Sequence, residues 1–227
     1  MLTIDRYFNK TGSYAELFDD VAYAWDALKR IKTYIQKHLD AAINGTVMDG
    51  AFLIGDDIFI GEGTIVEPGA YIRGPAIIGN NTEVRQGAYI RGNVLIGDNC
   101  VVGHATEIKH SVMLDGAKAG HFAYIGDSIL GQNVNLGAGT KLANLKITPS
   151  TVTVRFEGQS YDTGLRKFGA ILGDRVETGC NSVTTPGTMV GYDSLIYPNA
   201  TVRGVIPPAH ILKSVATQTL TKRADMS

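Results

Sequence analysis

Three cations, Arg73, Arg91 and Lys109, recur at intervals of 18 residues, and Tyr71, Tyr89 and Glu107 stand two residues before them. If that interval brings them side by side, like charges about 5 Å apart repel by ~1 kcal/mol in water and ~3 kcal/mol at an effective dielectric of 20. Two arrangements tolerate this: side chains splayed into solvent, or a shared phosphate or carboxylate that collects them. Histidine supplies a second recurrence. His104 and His121 occupy the third position of their six-residue units, on one face of neighbouring coils, whereas His110 falls on a different face. A lone histidine is more often a satisfied polar residue than a catalyst. His121, however, lies in Lys118-Ala-Gly-His121-Phe-Ala-Tyr124-Ile-Gly-Asp127, where the regular spacing slips, and such breaks are where function enters a regular fold. Two cysteines, Cys100 and Cys180, make no framework and no CxxC pair, so reduced thiols are expected.

The elements that hold these residues follow from a repeat. Every sixth residue from Ile54 to Leu114 is Ile, Val or Leu, eleven in succession, with a chance probability on the order of 10⁻⁷. Four residues after each stands a second, small or β-branched set that includes Thr64, Ala70, Thr82, Ala88, Cys100 and Thr106. This is the hexapeptide signature of a parallel β-helix. Each hexad gives one short strand and one turn, three close a triangular coil, and inward side chains stack about 4.8 Å apart. Glycine is 27 of 227 residues, against a usual ~7%. Its recurrence at Gly55, Gly61, Gly79, Gly97 and Gly103 reads as relief of the corners, where φ is often positive.

After Leu114 the inward set runs Ala119, Ile125, Leu130, Leu136 and Leu142 with two five-residue steps, and it resumes at Leu172 through Val202, for roughly seven coils. Residues 146–170, with the alternating run Thr151–Phe156, read as an inserted loop or hairpin projecting from the coil. Residues 1–45 read as a helical segment with a capping box at Ser13–Glu16, followed by Val21, Trp25, Leu28, Ile31, Ile35 and Leu39 at helical spacing. It is expected to cap the open end of the solenoid, or else to dock on a separate partner domain. From Pro207-Pro208 the chain is expected to leave the coil, making 46–205 the β-helix and 206–227 a C-terminal arm. The formal net charge of −1 argues against broad nucleic-acid binding. The N-terminus carries no signal pattern and no run of 18 apolar residues occurs, so a cytoplasmic protein without a membrane segment is expected.

The block Val102-Gly103, Glu107-Ile-Lys109, Lys118-Ala-Gly-His121, Tyr124-Ile-Gly-Asp127, Asn133-Val-Asn135-Leu-Gly-Ala-Gly-Thr140 and Ala143-Asn144-Leu145 resembles the acetyltransferase half of the bifunctional sugar-1-phosphate nucleotidyltransferase/amino-sugar-1-phosphate acetyltransferases, glucosamine-1-phosphate acetyltransferase among them. Asp162-Thr-Gly-Leu-Arg166-Lys-Phe-Gly-Ala-Ile-Leu-Gly173 resembles the archaeal-type members in particular, and the likeness spans roughly 50–205. The resemblance implies an all-β solenoid, a left-handed parallel β-helix with the N-terminal helical cap. It implies acetyl transfer from acetyl-CoA, as co-substrate, to an amino-sugar 1-phosphate. His121 would then be the general base, Arg91 and Lys109 the phosphate ligands, and Tyr124 and Asn135 sugar- or phosphate-contacting residues. Asn144 and Ala138 would lie beside the acetyl group, and Glu107 would orient the histidine. Cys180 and Tyr197 fall in the coenzyme channel, where bacterial members carry smaller or hydroxyl residues, and Leu145 stands where those members have Tyr. The implied assembly is a homotrimer with sites between subunits. No nucleotidyltransferase signature precedes the coil, so activity is expected to stop at acetyl transfer, with a separate nucleotidyltransferase as a possible partner. Two other classes compete: a non-catalytic sugar-phosphate-binding or scaffold trimer, and a zinc hydratase of the γ-carbonic anhydrase type. The latter needs a histidine pair separated by four residues, whereas His104, His110 and His121 are separated by five and ten, so no metal is expected.

Overall fold

The computed structural model describes residues 2–214, and the chain winds through three parallel sheets in turn. Face 1 carries nine strands, from Thr46–Val47 to Ile211–Leu212. Face 2 carries eight, from Phe52–Ile54 to Thr201–Val202, and face 3 eight, from Ile58–Ile60 to Val205–Ile206. The coil is therefore longer than the seven turns expected. It also continues past the expected start of the arm at 206, because Leu195 pairs with Ile211 and Ile196 with Leu212. The rest of that arm, from 215 on, lies outside the described residues.

The interior is built as the repeat predicts. Ile72, Ile90, Ile108, Ile125 and Leu142 stack inside face 2, and Ile60, Ile78, Ile96 and Leu130 inside face 3, all buried. At the corner before face 1 the hydroxyls of Thr64 and Thr82 donate to the carbonyls of Gly79 and Gly97 at 2.6 and 2.9 Å, and at the corner before face 2 that of Thr106 donates to the carbonyl of Ala119 at 3.0 Å. Thr64 and Thr82 Oγ1 also accept the N–H of Thr82 and Cys100, so these buried hydroxyls tie coil to coil and are satisfied. Cys100 continues the column, and burial pushes its thiol up to about 12.

The register departs from the simple count at both ends of the long run. Leu53 pairs with Ile72 and points inward, leaving Ile54 opposite Arg73 and 41% exposed. Ile96 pairs with Met113, so Met113 and not Leu114 fills the interior, and the first five-residue step falls at Ile108–Met113. Leu114 faces outward, into a second apolar cluster. Gly55 relieves its backbone at φ 106°, as expected, while the other recurrent glycines have a different use. Gly61, Gly79, Gly97 and Gly103 do not have positive φ; the next coil passes too close for a side chain, and a Cβ on Gly79 would lie 2.6 Å from the carbonyl carbon of Gly97. Left-handed turns are shared between other glycines, such as Gly63 and Gly69 (φ 71° and 80°), and residues such as Asn81 and Asn99 (φ 51° and 57°).

That second cluster is formed by the N-terminal segment on the outer side of face 3. Helix α1 (Asp26–His38) buries Ala27, Leu28, Ile31 and Ile35 against a surface that includes Ile77, Leu95, Val112 and Ile129. Trp25 and Phe18 are buried beside it. The segment thus covers a flank of the solenoid and leaves the first coil's end open, with Met48 and Phe52 exposed. Its apolar face is occupied by its own chain. No capping box forms: Tyr14 precedes the short helical turn Ala15–Phe18 in the left-handed region, and the Ser13 N–H donates to Asp115 Oδ2 at 2.9 Å. The insertion is an antiparallel hairpin, Thr153–Phe156 with Gln159–Asp162, turning on Glu157 and Gly158 at positive φ. It does not project freely. Val152, Val154 and Phe168 are buried in the same flank cluster, with Tyr161 edge-on to Tyr23.

Candidate active site

Coil register brings the predicted residues to one side of the solenoid. On face 2, Tyr71 pairs with Tyr89, Tyr89 with Glu107, and Glu107 with Tyr124. Two residues further along each strand stand Arg73, Arg91 and Lys109, as the 18-residue interval requires. One coil before Arg73 the position is held by Ile54.

Within the chain, carboxylates from adjacent coils meet two of the three cations, and the third is splayed into solvent. Arg91 Nη1 lies 2.6 Å from Glu107 Oε1, and Lys109 Nζ lies 2.8 Å from Asp127 Oδ2. Their environments differ. The Arg91 and Glu107 side chains are 42% and 32% exposed, so solvent screens that pair, whereas Lys109 and Asp127 are 17% and 9% exposed. Arg73 leans on the Tyr71 hydroxyl at 3.4 Å and remains exposed.

Asp127 leads to a connected set. Its Oδ2 also accepts the side-chain amide of Asn144, while Asn144 Oδ1 accepts the Tyr124 hydroxyl at 3.3 Å. Lys109, Asp127, Asn144 and Tyr124 therefore form one hydrogen-bonded chain across three coils. Burial, followed by the charges of Glu107 and Asp127, raises the Tyr124 phenol above its ordinary value, which keeps it a donor at neutral pH. The backbone holds the centre of this chain: Gly169 N–H donates to the Asp127 carbonyl and Phe168 N–H to that of Asn144, so the end of the hairpin insertion locks the corner.

His121 stands at the neighbouring corner, at the end of the face 1 strand Lys118–His121, with Tyr124 beginning the face 2 strand three residues on. His104 pairs with His121, a step of 17 residues where Val84 to Val102 is 18. Along this edge the carbonyls of His104, His121, Ala138 and Cys180 accept the N–H groups of Phe122, Gly139, Asn181 and Asn199, so the four form one vertical row. Tyr197 lies beside the top of that row, 43% exposed, and Cys180 is an exposed free thiol. The imidazole of His121 is exposed, and among the described residues no hydrogen bond engages it. Glu107, expected to orient it, is held by Arg91 instead. Asn135 is exposed on face 1, opposite Lys118, and so is turned away from the face 2 group.

The site corners carry a signal that the sequence reading passed over. Ala105 and Phe122 at the first corner, and His110 and Asp127 at the second, all have φ between 44° and 54°. Elsewhere such corners are filled largely by Gly or Asn, which tolerate the left-handed region. Arg175 and Asp193 (φ 59° and 56°) are charged residues at such corners away from this site. Asp127 is the residue missed; it belongs to the Tyr124–Asp127 motif and stands one position past Gly126, the partner of Lys109 in the next coil. Above Asn144 on the same side opens a cavity of about 750 Å³ bounded by Leu145, Lys146, Ile147, Arg155, Val183 and Arg203, with the hairpin as one wall. No group of three His, Cys, Asp or Glu side chains able to hold a metal occurs among the described residues, and no helix there is long and apolar enough to cross a membrane.

Similar proteins are consistent with this organisation. The profile of the GMPPB C-terminal domain matches residues 72–220. A bifunctional protein GlmU from Methanococcus maripaludis is 45% identical over 185 residues, 82% of this chain and 44% of the relative. A bifunctional sugar-1-phosphate nucleotidylyltransferase/acetyltransferase from Sulfurisphaera tokodaii is 43% identical over 96 residues, 42% of this chain and 24% of the relative. The chain thus spans less than half the length of these curated relatives. Among solved structures, a UDP-N-acetylglucosamine acyltransferase from Francisella novicida aligns with 71% of this chain and 62% of its own at a TM-score of 0.45 and 19% identity. By the extent of the profile match, the chain belongs to the GMPPB C-terminal domain family, and its left-handed parallel β-helix corresponds to the acetyltransferase half of GlmU-type proteins.

Proposed function

We propose that this chain moves acetyl from acetyl-CoA to the amine of an amino-sugar 1-phosphate. The observation that carries the reading is the Lys109–Asp127–Asn144–Tyr124 chain beside the Arg91–Glu107 pair, one corner from the uncommitted imidazole of His121. Arg91 and Lys109 hold the sugar phosphate through charge-assisted hydrogen bonds, and Tyr124 contacts the sugar. The amine nitrogen attacks the thioester carbonyl. As the N–C bond forms and the C–S bond breaks, His121 takes the amine proton and the coenzyme leaves as thiolate, to which the imidazolium proton passes, directly or through water, giving the thiol. An imidazole suits this near neutral pH, and a positioned base contributes typically 10²–10⁴-fold. The Asn144 amide donates to the acetyl oxygen, and Ala138, Cys180 and Tyr197 line the path of the coenzyme up the edge.

The site is shared between chains in this reading. Asn135 faces away from Arg91, Lys109 and Tyr124 within one chain. If face 2 of one subunit meets face 1 of the next around a threefold axis, Asn135 reaches the neighbouring site. A ring of three closes such a heterologous contact.

The test is thiol release from acetyl-CoA by the purified protein, with glucosamine 1-phosphate and galactosamine 1-phosphate supplied separately. Turnover with at least one of them, and none with the unphosphorylated sugars, is expected. Sugar-phosphate binding without thiol release contradicts catalysis and leaves a binding or scaffold trimer.

A further inference from the structure

We propose that Asp127 is a positioning residue: its carboxylate fixes the orientation of the Asn144 amide and anchors the Lys109 ammonium, so that the acetyl-contacting and phosphate-contacting groups are set by one buried anion. The inference rests on the acetyl-transfer reading above and adds to it a residue with no assigned role.

The geometry leaves the amide little choice. Asp127 is 6% exposed and Asn144 7%, so neither exchanges its partner for bulk water. A carboxylate only accepts, so the atom of Asn144 that faces it must be Nδ2; Oδ1 is then turned to Tyr124, whose hydroxyl donates to it. One amide N–H is committed to Asp127, and the other remains to donate to an acyl oxygen. Reversing the amide would set its oxygen against the carboxylate, so the Asp127 end of the chain enforces one orientation, and the Tyr124 hydroxyl, able to donate or accept, follows it. The same Oδ2 takes Lys109 Nζ at 2.8 Å. Removing this anion would leave the ammonium without its partner in a largely buried position, a costly state. The backbone supports the role independently of the side chain: Asp127 sits at φ 46°, and its N–H and C=O are both engaged, by the Lys109 carbonyl and the Gly169 amide.

The test is Asp127→Asn, alone and combined with Asn144→Ala, after wild-type turnover has been measured. Absence of wild-type turnover refutes the acetyl-transfer reading itself, not this inference. With turnover in hand, Asp127→Asn should lower kcat roughly 10- to 100-fold, the range for hydrogen bonds to a charged group, and raise the KM for the sugar phosphate severalfold, because the Lys109 ammonium loses its anchor. In the Asn144→Ala background the same substitution should lower kcat by no more than about twofold, because the group it orients is gone. A purely structural Asp127 would depress both backgrounds equally, and that additivity, or an unchanged kcat in the single variant, overturns the inference. Should Asp127→Asn fail to fold, the coupling is read from Lys109→Met and Asn144→Ala. The kcat loss from Lys109→Met should shrink severalfold when Asn144 is absent, and equal losses in both backgrounds contradict the role.

Discussion

Arg91 and Lys109 stand one coil apart, each with its charged end on a carboxylate from the next coil, and that arrangement sets what each can do for a substrate. Lys109 is the more enclosed of the two, so a phosphate that reaches it meets a charge little screened by water. Lys109→Met should therefore raise the KM for the sugar phosphate about 10- to 100-fold in steady-state kinetics, while thermal unfolding shows a folded protein. The cation column was legible in the sequence because an 18-residue interval is enough to stack three backbones. The partners were not. Glu107 was paired in expectation with His121, and Asp127 was given no role, because the direction of a side chain at a corner depends on where the register slips. That slip falls at Ile108–Met113, within the very coil that bears Lys109.

The elements differ sharply in what they tolerate. A Cβ on Gly103 would lie 1.8 Å from the carbonyl oxygen of Gly120, so the two coils that carry His104 and His121 close on each other through a glycine. Gly120 itself has nothing within 4 Å of the corresponding position. Gly103→Ala should destabilise the fold by at least about 2 kcal/mol, while Gly120→Ala should stay within about 0.5 kcal/mol; denaturant unfolding of the two variants distinguishes them, and equal midpoints would contradict the coil-contact account. The strands and their inward faces were readable from the hexad period. The placement of the N-terminal segment was not, since an apolar helical stripe fits an open end and a sheet flank equally well. What decides is the outer surface of face 3, where Ile77, Leu95, Val112, Ile129, Ile171 and Met189 expose an apolar strip that α1 and the hairpin base cover. Those residues occupy the hexad positions next to the inward ones, so their outward apolarity was hidden inside an already hydrophobic pattern.

For the whole molecule, Asn135 and Arg91 stand on two faces, so the proposed site, which uses both, requires a second chain. If each site joins face 2 of one chain to face 1 of the next, an inactive Arg91→Ala protein and an inactive Asn135→Ala protein should complement each other in mixed trimers. Random mixing leaves about a quarter of interfaces with both residues intact, so co-refolded protein should recover about that share of wild-type thiol release. No recovery would mean that both residues serve a site within one chain. No interval in the sequence reports this arrangement, because contacts between chains leave no period. The account as a whole turns on His121, exposed at its corner and uncommitted by any hydrogen bond among the described residues. Its most direct test is kcat for acetyl transfer in His121→Ala beside His104→Ala, its partner one coil away. A loss of about 10²–10⁴-fold is expected for His121→Ala with the trimer intact, and a loss smaller than about tenfold for His104→Ala, whose Nδ1 is already engaged with the Gln86 carbonyl at 3.0 Å. Wild-type turnover in His121→Ala would contradict the assignment of the base and, with it, the mechanism.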